Sequence, residues 1–304
     1  MIKSPTSKSK IFFIISAVLI LVSVASLCIQ GLNLGIDFTG GSTLSFDLGK
    51  TEYSNSVESR ITAIIKENSD AKDIVVQKMG DAGVSIKTSE LKNEESQAIV
   101  EAIKAEYNLS QENVSQVEKV SGSVSGELIK NALKAIIIAV ALMLLYITWR
   151  FDFKSGTCAV IALAHDVIIM LGFYSIFRFT VNTSFVAAVL TILGYSINAT
   201  IVVFDRVREK KRNAPKATPN EVADDAITNS YWRAINSSVT TLLTIGVLYI
   251  MGVDSIKEFA LPIIIGIIAG TYSSLFIASP FWAFWNNHSK KSKANYANKK
   301  KKRA

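Results

Sequence analysis

Six apolar runs, at about 11–29, 132–148, 157–177, 184–204, 236–252 and 259–285, decide what this chain can fold into. A hydrocarbon core about 30 Å thick takes roughly 20 residues of helix to cross. Lipid offers backbone N–H and C=O groups no partner, so each run must close its own hydrogen bonds as a helix. The fourth and fifth runs are the weakest, because Asn198 and a Ser/Thr-rich stretch interrupt them. The chain has 304 residues, 49% of them hydrophobic, and the hydrophobicity is concentrated in these blocks.

The first run follows Lys3, Lys8 and Lys10, as the core of a signal peptide would. It is longer than an h-region of roughly 7–15 residues, and Leu27 before Cys28 spoils a lipoprotein-type cleavage site. An uncleaved anchor is therefore expected.

Net charge is +8, and its placement matters more than its sum. Basic residues precede run 1, join runs 2 and 3 (Arg150, Lys154), follow run 4 (Arg206, Arg208, Lys210, Lys211, Arg212, Lys216) and fill the tail (Lys290, Lys291, Lys293, Lys299–Arg303). The opposite short loops hold Arg178 and Lys257. The positive-inside rule then puts both termini in the cytoplasm and residues 30–130 outside. The chain divides into a cytoplasmic start at 1–10, helix 1 at 11–29, an outer domain with hinge at 30–130, and a five-helix bundle at 131–285. The bundle carries a cytoplasmic loop at 205–235, and a basic tail follows at 286–304. That tail suits anionic membrane lipid at about 1 kcal/mol per charge; RNA or a ribosome is the alternative.

Residues 42–120 alternate between strand and helix patterns. Strands are expected at Ser42–Leu48, Ile74–Met79, Val84–Thr88 and Asn113–Val120, with helices at about 54–67 and 92–106. Gly80-Asp81-Ala82-Gly83 is a hairpin turn. The order β-α-β-β-α-β is the split βαβ, ferredoxin-like pattern. Ser121–Ser125 reads equally as a hinge or an ordinary linker. Thr218-Pro219-Asn220-Glu221 is a capping box with Pro at the first helical position. It starts a helix that can run on into helix 5.

Four groups of residues are candidates for function. Gly35, Asp37, Phe38, Thr39, Gly40 and Gly41 form a turn after helix 1, read first as a rigid elbow and second as a substrate contact. His165-Asp166 lies midway along helix 3. A carboxylate there is expensive in lipid without a partner, so it is protonated, paired, or a proton carrier. Asn198 in helix 4 and Arg233 at the mouth of helix 5 are the next pair, with Asp205 seven residues beyond Asn198 on nearly the same face. Asp205 is expected to pair with Arg206 or Arg208, and Arg233 needs a counter-charge or must snorkel. Gly266 and Gly270 in helix 6 are a small-residue packing stripe.

Enzymatic chemistry is not indicated. The sequence lacks a phosphate loop, a nucleophile elbow and a metalloprotease helix. Two cysteines, both in apolar runs, and two histidines make neither a disulfide framework nor a zinc cluster. No cofactor, metal or nucleic-acid partner is expected.

Several segments together resemble a known family. Gly35-Ile36-Asp37-Phe38-Thr39-Gly40-Gly41, Val124–Leu128 and Tyr146–Phe151 are followed by His165-Asp166-Val167, Gly194–Asn198 and Phe204–Glu209. Ser237–Leu243 and Gly270–Ala278 complete the order. They resemble the SecF members of the SecD/SecF family, accessory subunits of the bacterial protein translocase. The resemblance implies six helices of the resistance-nodulation-division type and one α+β outer domain, in the bacterial cytoplasmic (inner) membrane. It implies SecD and the SecYEG channel as partners, with SecA, YajC and a YidC-type insertase as further neighbours. Ion flow through the membrane part is implied to move the outer domains against an exported unfolded polypeptide. One position departs: the family commonly reads Ser-Ile-Asn-Asp-Thr in helix 4, with the Asp as its proposed proton carrier, and here that position is Ala199. Three options follow. SecD alone carries the titrating carboxylate, Asp166 or Asp205 substitutes, or the subunit couples another ion or none. The competing readings are a non-conducting structural subunit and a small-molecule exporter of the same architecture.

Overall fold

A computed structural model describes residues 5–288, apart from 50, 52 and 80–82. The tail beyond 288 and most of the Gly80–Gly83 turn lie outside the described residues. The chain forms two compact units, Leu34–Leu133 and Met1–Asn33 with Lys134–Ala304.

The first unit begins with β1 (Asn33–Leu34) at its boundary and a helical turn, α2 (Ile36–Thr39). Then follow β2 (Gly41–Asp47), α3 (Asn55–Asn68), β3 (Val75–Met79), β4 (Gly83–Thr88), α4 (Asn93–Tyr107) and β5 (Val114–Val120). The sheet order is β3-β4-β2-β5 and each neighbouring pair is antiparallel. This is the split βαβ arrangement. β2 lies between β4 and β5, facing Ile86 from one side and Val117 from the other at Leu44. Its alternate residues Leu44 and Phe46 are fully buried, with Ile61 and Ile65 of α3 and Ile99 and Ile103 of α4. Ser54 caps α3 by accepting from Val57 N.

Most of Ser121–Ser125, which reads equally as a hinge or a linker, is not a separate segment. Gly122–Arg150 is one helix, α5, and residues 122–125 are its first turn. Ser125 Oγ donates to Ile36 O at 3.2 Å, which ties that turn to α2.

The second unit contains α1 (Ser9–Gln30), the remainder of α5, α6 (Phe153–Ile176), a short strand β6 (Thr180–Val181), α7 (Thr183–Asn213), α8 (Pro219–Met251) and α9 (Asp254–Ser273). A π-helical turn at Ser274–Ala278 continues α9 toward His288. Among the described residues, six helices are long and apolar enough to cross a membrane. The capping box at Thr218 starts α8, which runs unbroken from the polar loop into the apolar run. α6, α7 and the α9 span form the buried centre, while α1, α5 and α8 are largely exposed.

Burial on α1 is inverted relative to a helix of a soluble protein, although Ala, Leu, Ile and Phe still fill much of the bundle centre. On α1 the buried residues are Ser16, Ser23 and Ser26, while Ile14, Leu21 and Val22 face outward. Ser16 meets His165, Ser23 lies against Gly172, and Ser26 bonds Ser175 at 2.8 Å. All three contacts share one offset of 149 residues, so α1 and α6 run parallel and in step. A Cβ on Gly172 would fall 2.1 Å from Ser23 Oγ, which sets how closely the two backbones approach.

Candidate functional site

A titratable pair is buried inside the helix bundle. Asp166 on α6 is 1% exposed, and its neighbour His165 is 4% exposed. His165 Nδ1 lies 3.0 Å from Asp166 Oδ1. Ser196 of α7 and Ser273 of α9 both donate to Asp166 Oδ2, at 2.7 and 2.9 Å. His165 Nε2 lies 3.1 Å from Ser16 Oγ on α1. Ser16 Oγ lies 3.4 Å from the Tyr272 hydroxyl, which itself donates to Phe12 O at 2.8 Å. Four helices therefore meet through one carboxylate and one imidazole. Buried polar groups are costly unless hydrogen-bonded, and here every polar atom of the pair has a partner.

Small residues make this meeting possible. A Cβ on Gly270 would lie 2.9 Å from Ser196 Oγ and 3.4 Å from Asp166 Oδ2. A Cβ on Gly266 would lie 2.6 Å from Ile192. The two glycines thus bring α9 onto α7 and leave room for the carboxylate between them. The hydroxyl pairs Thr200–Ser274 at 2.8 Å and Ser238–Thr271 at 2.6 Å extend the polar contacts among α7, α8, α9 and the π turn.

Asn198 and Arg233 are elsewhere. Both are exposed at the outer surface of the bundle. With Asp205 they line an open cleft of about 720 Å³, along with Arg150, Arg206 and Arg208. Asp205 does not pair with Arg206 or Arg208 as expected. Its partner is Arg150 at 3.4 Å, because Arg206 is taken by Glu209 and Arg208 donates to Arg150 O. Among the described residues Arg233 has no carboxylate partner. Ala199 is half-buried beside Asn198, and Ser196 of the same helix turns inward to Asp166.

The Gly35–Gly41 turn belongs to the other unit. Thr39 Oγ1 contacts Gly35 O and Gly40 O at 3.2 and 3.0 Å. Asp37 and Phe38 sit within the α2 turn itself. Gly40 and Gly41 have φ of 71° and 124°. A Cβ on Gly40 would lie 3.0 Å from Gly122 Cα, and one on Gly41 would lie 2.3 Å from Thr88 O. Both positions exclude a side chain for lack of space as well as for backbone conformation.

Sequence reasoning placed His165 and Asp166 together but missed Ser16, Ser196, Tyr272 and Ser273. For Ser16 alone there is a signal, in spacing: Ser16, Ser23 and Ser26 fall on one face of α1.

Two family models match the chain: protein export membrane protein SecD/SecF, C-terminal, over residues 99–288, and the SecD/SecF GG motif over residues 25–52. The protein translocase subunit SecF of Petrotoga mobilis is 37% identical over 279 residues, covering 90% of this chain and 92% of the relative. The protein translocase subunit SecDF of Bacillus subtilis is 34% identical, and the match takes 92% of this chain but 38% of that longer relative. The crystal structure of the Thermus SecDF, described as a translocon-associated membrane protein, superposes with a TM-score of 0.83 at 30% identity. It covers 93% of this chain and 38% of the Thermus chain.

Proposed function

Because the chain belongs to the SecD/SecF family of protein export membrane proteins, we propose that it is a SecF-like translocase subunit working beside a separate SecD subunit. In this reading the pair assists export of unfolded polypeptides through the SecYEG channel. An ion gradient, carried by protons, moves the outer domains. The subunit is a multi-pass protein of the bacterial inner membrane with both termini in the cytoplasm. SecA, YajC and a YidC-type insertase are the further neighbours this role calls for, and the basic tail meets anionic lipid.

The observation that carries the reading is the contrast in coverage. The chain matches a SecF over nearly the full length of both, yet it accounts for 38% of the single-chain SecDF. The remainder of that longer relative is the part this reading assigns to SecD. The cleft lined by Asn198, Asp205 and Arg233 opens at the surface of the bundle, where such a subunit can reach it. Arg233 is then the site for a carboxylate of the SecD subunit, since a cation at this depth seeks a counter-charge.

The test is export of a secreted reporter in cells depleted of this chain, with and without a protonophore. Depletion is expected to slow export, and gradient collapse to remove the benefit of restoring the chain. Arg233→Ala is expected to act like depletion. Export unchanged by depletion would overturn the reading. Ala199 supports a second one, a non-conducting brace for SecD and the channel, because alanine cannot titrate. Under that reading restoration helps equally with and without the gradient.

A further inference from the structure

Given the gradient-driven reading above, on which this step rests, we infer that the His165–Asp166 couple is the proton-binding site of this subunit. Its distinctive property is that it can hold the extra proton without leaving any hydrogen-bonding group unsatisfied.

In the first state the carboxylate of Asp166 fixes the imidazole tautomer: Nδ1–H donates to Oδ1, across 3.0 Å. The bare Nε2 then accepts from the Ser16 hydroxyl, across 3.1 Å. Tyr272 donates to Phe12 O, so its oxygen is free to accept. In the second state a proton binds at Nε2. The imidazolium now donates from Nδ1 to Asp166 and from Nε2 to Ser16 Oγ. The Ser16 hydrogen swings to the Tyr272 oxygen, 3.4 Å away. One proton is added, one hydroxyl rotates, and no covalent bond between heavy atoms changes. The couple passes from a buried anion to a neutral ion pair, while Ser196 and Ser273 hold Oδ2 in both states.

The groups facing the couple come from three of the helices packed on α6. They are Ser16 of α1, Ser196 of α7, and Tyr272 and Ser273 of α9. Tyr272 is the single titratable side chain among them. No lysine, arginine or second carboxylate bonds the couple among the described residues. Asp205, the other acidic candidate, is half-exposed and salt-bridged to Arg150 at the bundle surface. The π turn Ser274–Ala278 starts one residue after Ser273. Such turns inside helices frequently mark functional sites. Its Ser274 bonds Thr200, so α7 and the π turn are joined beside the couple.

The chain has two histidines, which makes the test direct. The full chain is labelled with ¹⁵N-histidine and placed in lipid nanodiscs, and the imidazole nitrogens are followed by NMR between about pH 5 and about pH 8. His165→Gln assigns the signals. The expected result is a His165 imidazole that gains and loses a proton in this range. Ser16→Ala removes the acceptor of the second state and is expected to change the pH response of the His165 signals. Asp166→Asn removes the counter-charge and is expected to change it further. Should Asp166→Asn fail to fold, Ser16→Ala still decides. A His165 charge state that is constant over the range overturns the inference. So does a pH response that Ser16→Ala leaves unchanged. A flat His165 in a chain that supports gradient-dependent export removes this site and keeps the translocation role. A titrating His165 in a chain with no effect on export does the reverse.

Discussion

The two units solve opposite packing problems with the same backbone rules. In Leu34–Leu133 the interior is Leu, Ile, Val and Phe, and the charges lie outside. In the helix bundle α1 meets α6 through Ser, Gly and His, and Ser and Asp join α6, α7 and α9 amid buried Ala, Leu and Ile, while further Ile and Leu line the outer surface. The difference follows from the solvent. Water drives apolar surface inward. Lipid tails are as apolar as leucine, so helices associate through close packing and interhelical hydrogen bonds instead. A serine buried on α1 is therefore the counterpart of an isoleucine buried on α3.

Substitutions can break this contrast or sharpen it. The largest effect is expected for Ile61→Ala, fully buried on α3, at about 2–5 kcal/mol. Limited proteolysis of the full chain should show selective cleavage within 34–133. The matching change on α1, Leu21→Ala at an outward position, should cost less than about 0.5 kcal/mol. Next comes Gly41→Ala, where a Cβ would lie 2.3 Å from Thr88 O and φ is 124°. Its strain is expected to cost about 1–3 kcal/mol, visible in the same protease assay. Ser23→Leu would force α1 away from Gly172, at about 1–3 kcal/mol of overpacking. Thermal unfolding in nanodiscs measures it, and an apolar side chain that stabilised the bundle there would collapse the distinction between the units.

The smallest effect belongs to the exposed pair Arg60–Glu106 across α3 and α4, at 2.8 Å. The hydrogen bond from Arg60 holds the Glu106 carboxyl below its ordinary 4.5, assisted by the guanidinium charge and opposed by desolvation. A lowered carboxyl value stabilises the fold above the unfolded value, and that contribution disappears as pH falls through the folded one. Protease resistance of the outer domain should therefore differ little between wild type and Glu106→Gln in acid. Any gap should open above about pH 4.5 and shrink in high salt.

Much of this was legible in advance, for identifiable reasons. Each membrane helix is long enough for its apolar run to stand out, and a missing partner does not blur it. The outer domain was legible because Leu44 and Phe46 alternate on β2 while Ile61, Ile64 and Ile65 recur at helical spacing on α3. The polar hub was half legible. His165 and Asp166 are adjacent in sequence, but Ser16, Ser196 and Ser273 reach them from three other helices, and a serine in a membrane helix gives no sign of which way it faces. Asp205 shows the same limit. Its partner Arg150 lies 55 residues away, while nearer arginines offered themselves. At Ser121–Ser125, read equally as hinge or linker, the start of α5 was not legible because small residues suit a helix's first turn as well as a linker.

The shared 149-residue offset between α1 and α6 sets a schedule for biogenesis. At about 5–20 residues per second, α1 leaves the ribosome roughly 7–30 s before the helix its serines will meet. Through that interval Ser16, Ser23 and Ser26 face lipid or an assembly factor. A serine hydroxyl can wait by bonding the carbonyl one turn back on its own helix. A charged group has no such refuge, and Asp166 on α6 still precedes its partners Ser196 and Ser273 by 30 and 107 residues, with His165 beside it from the start.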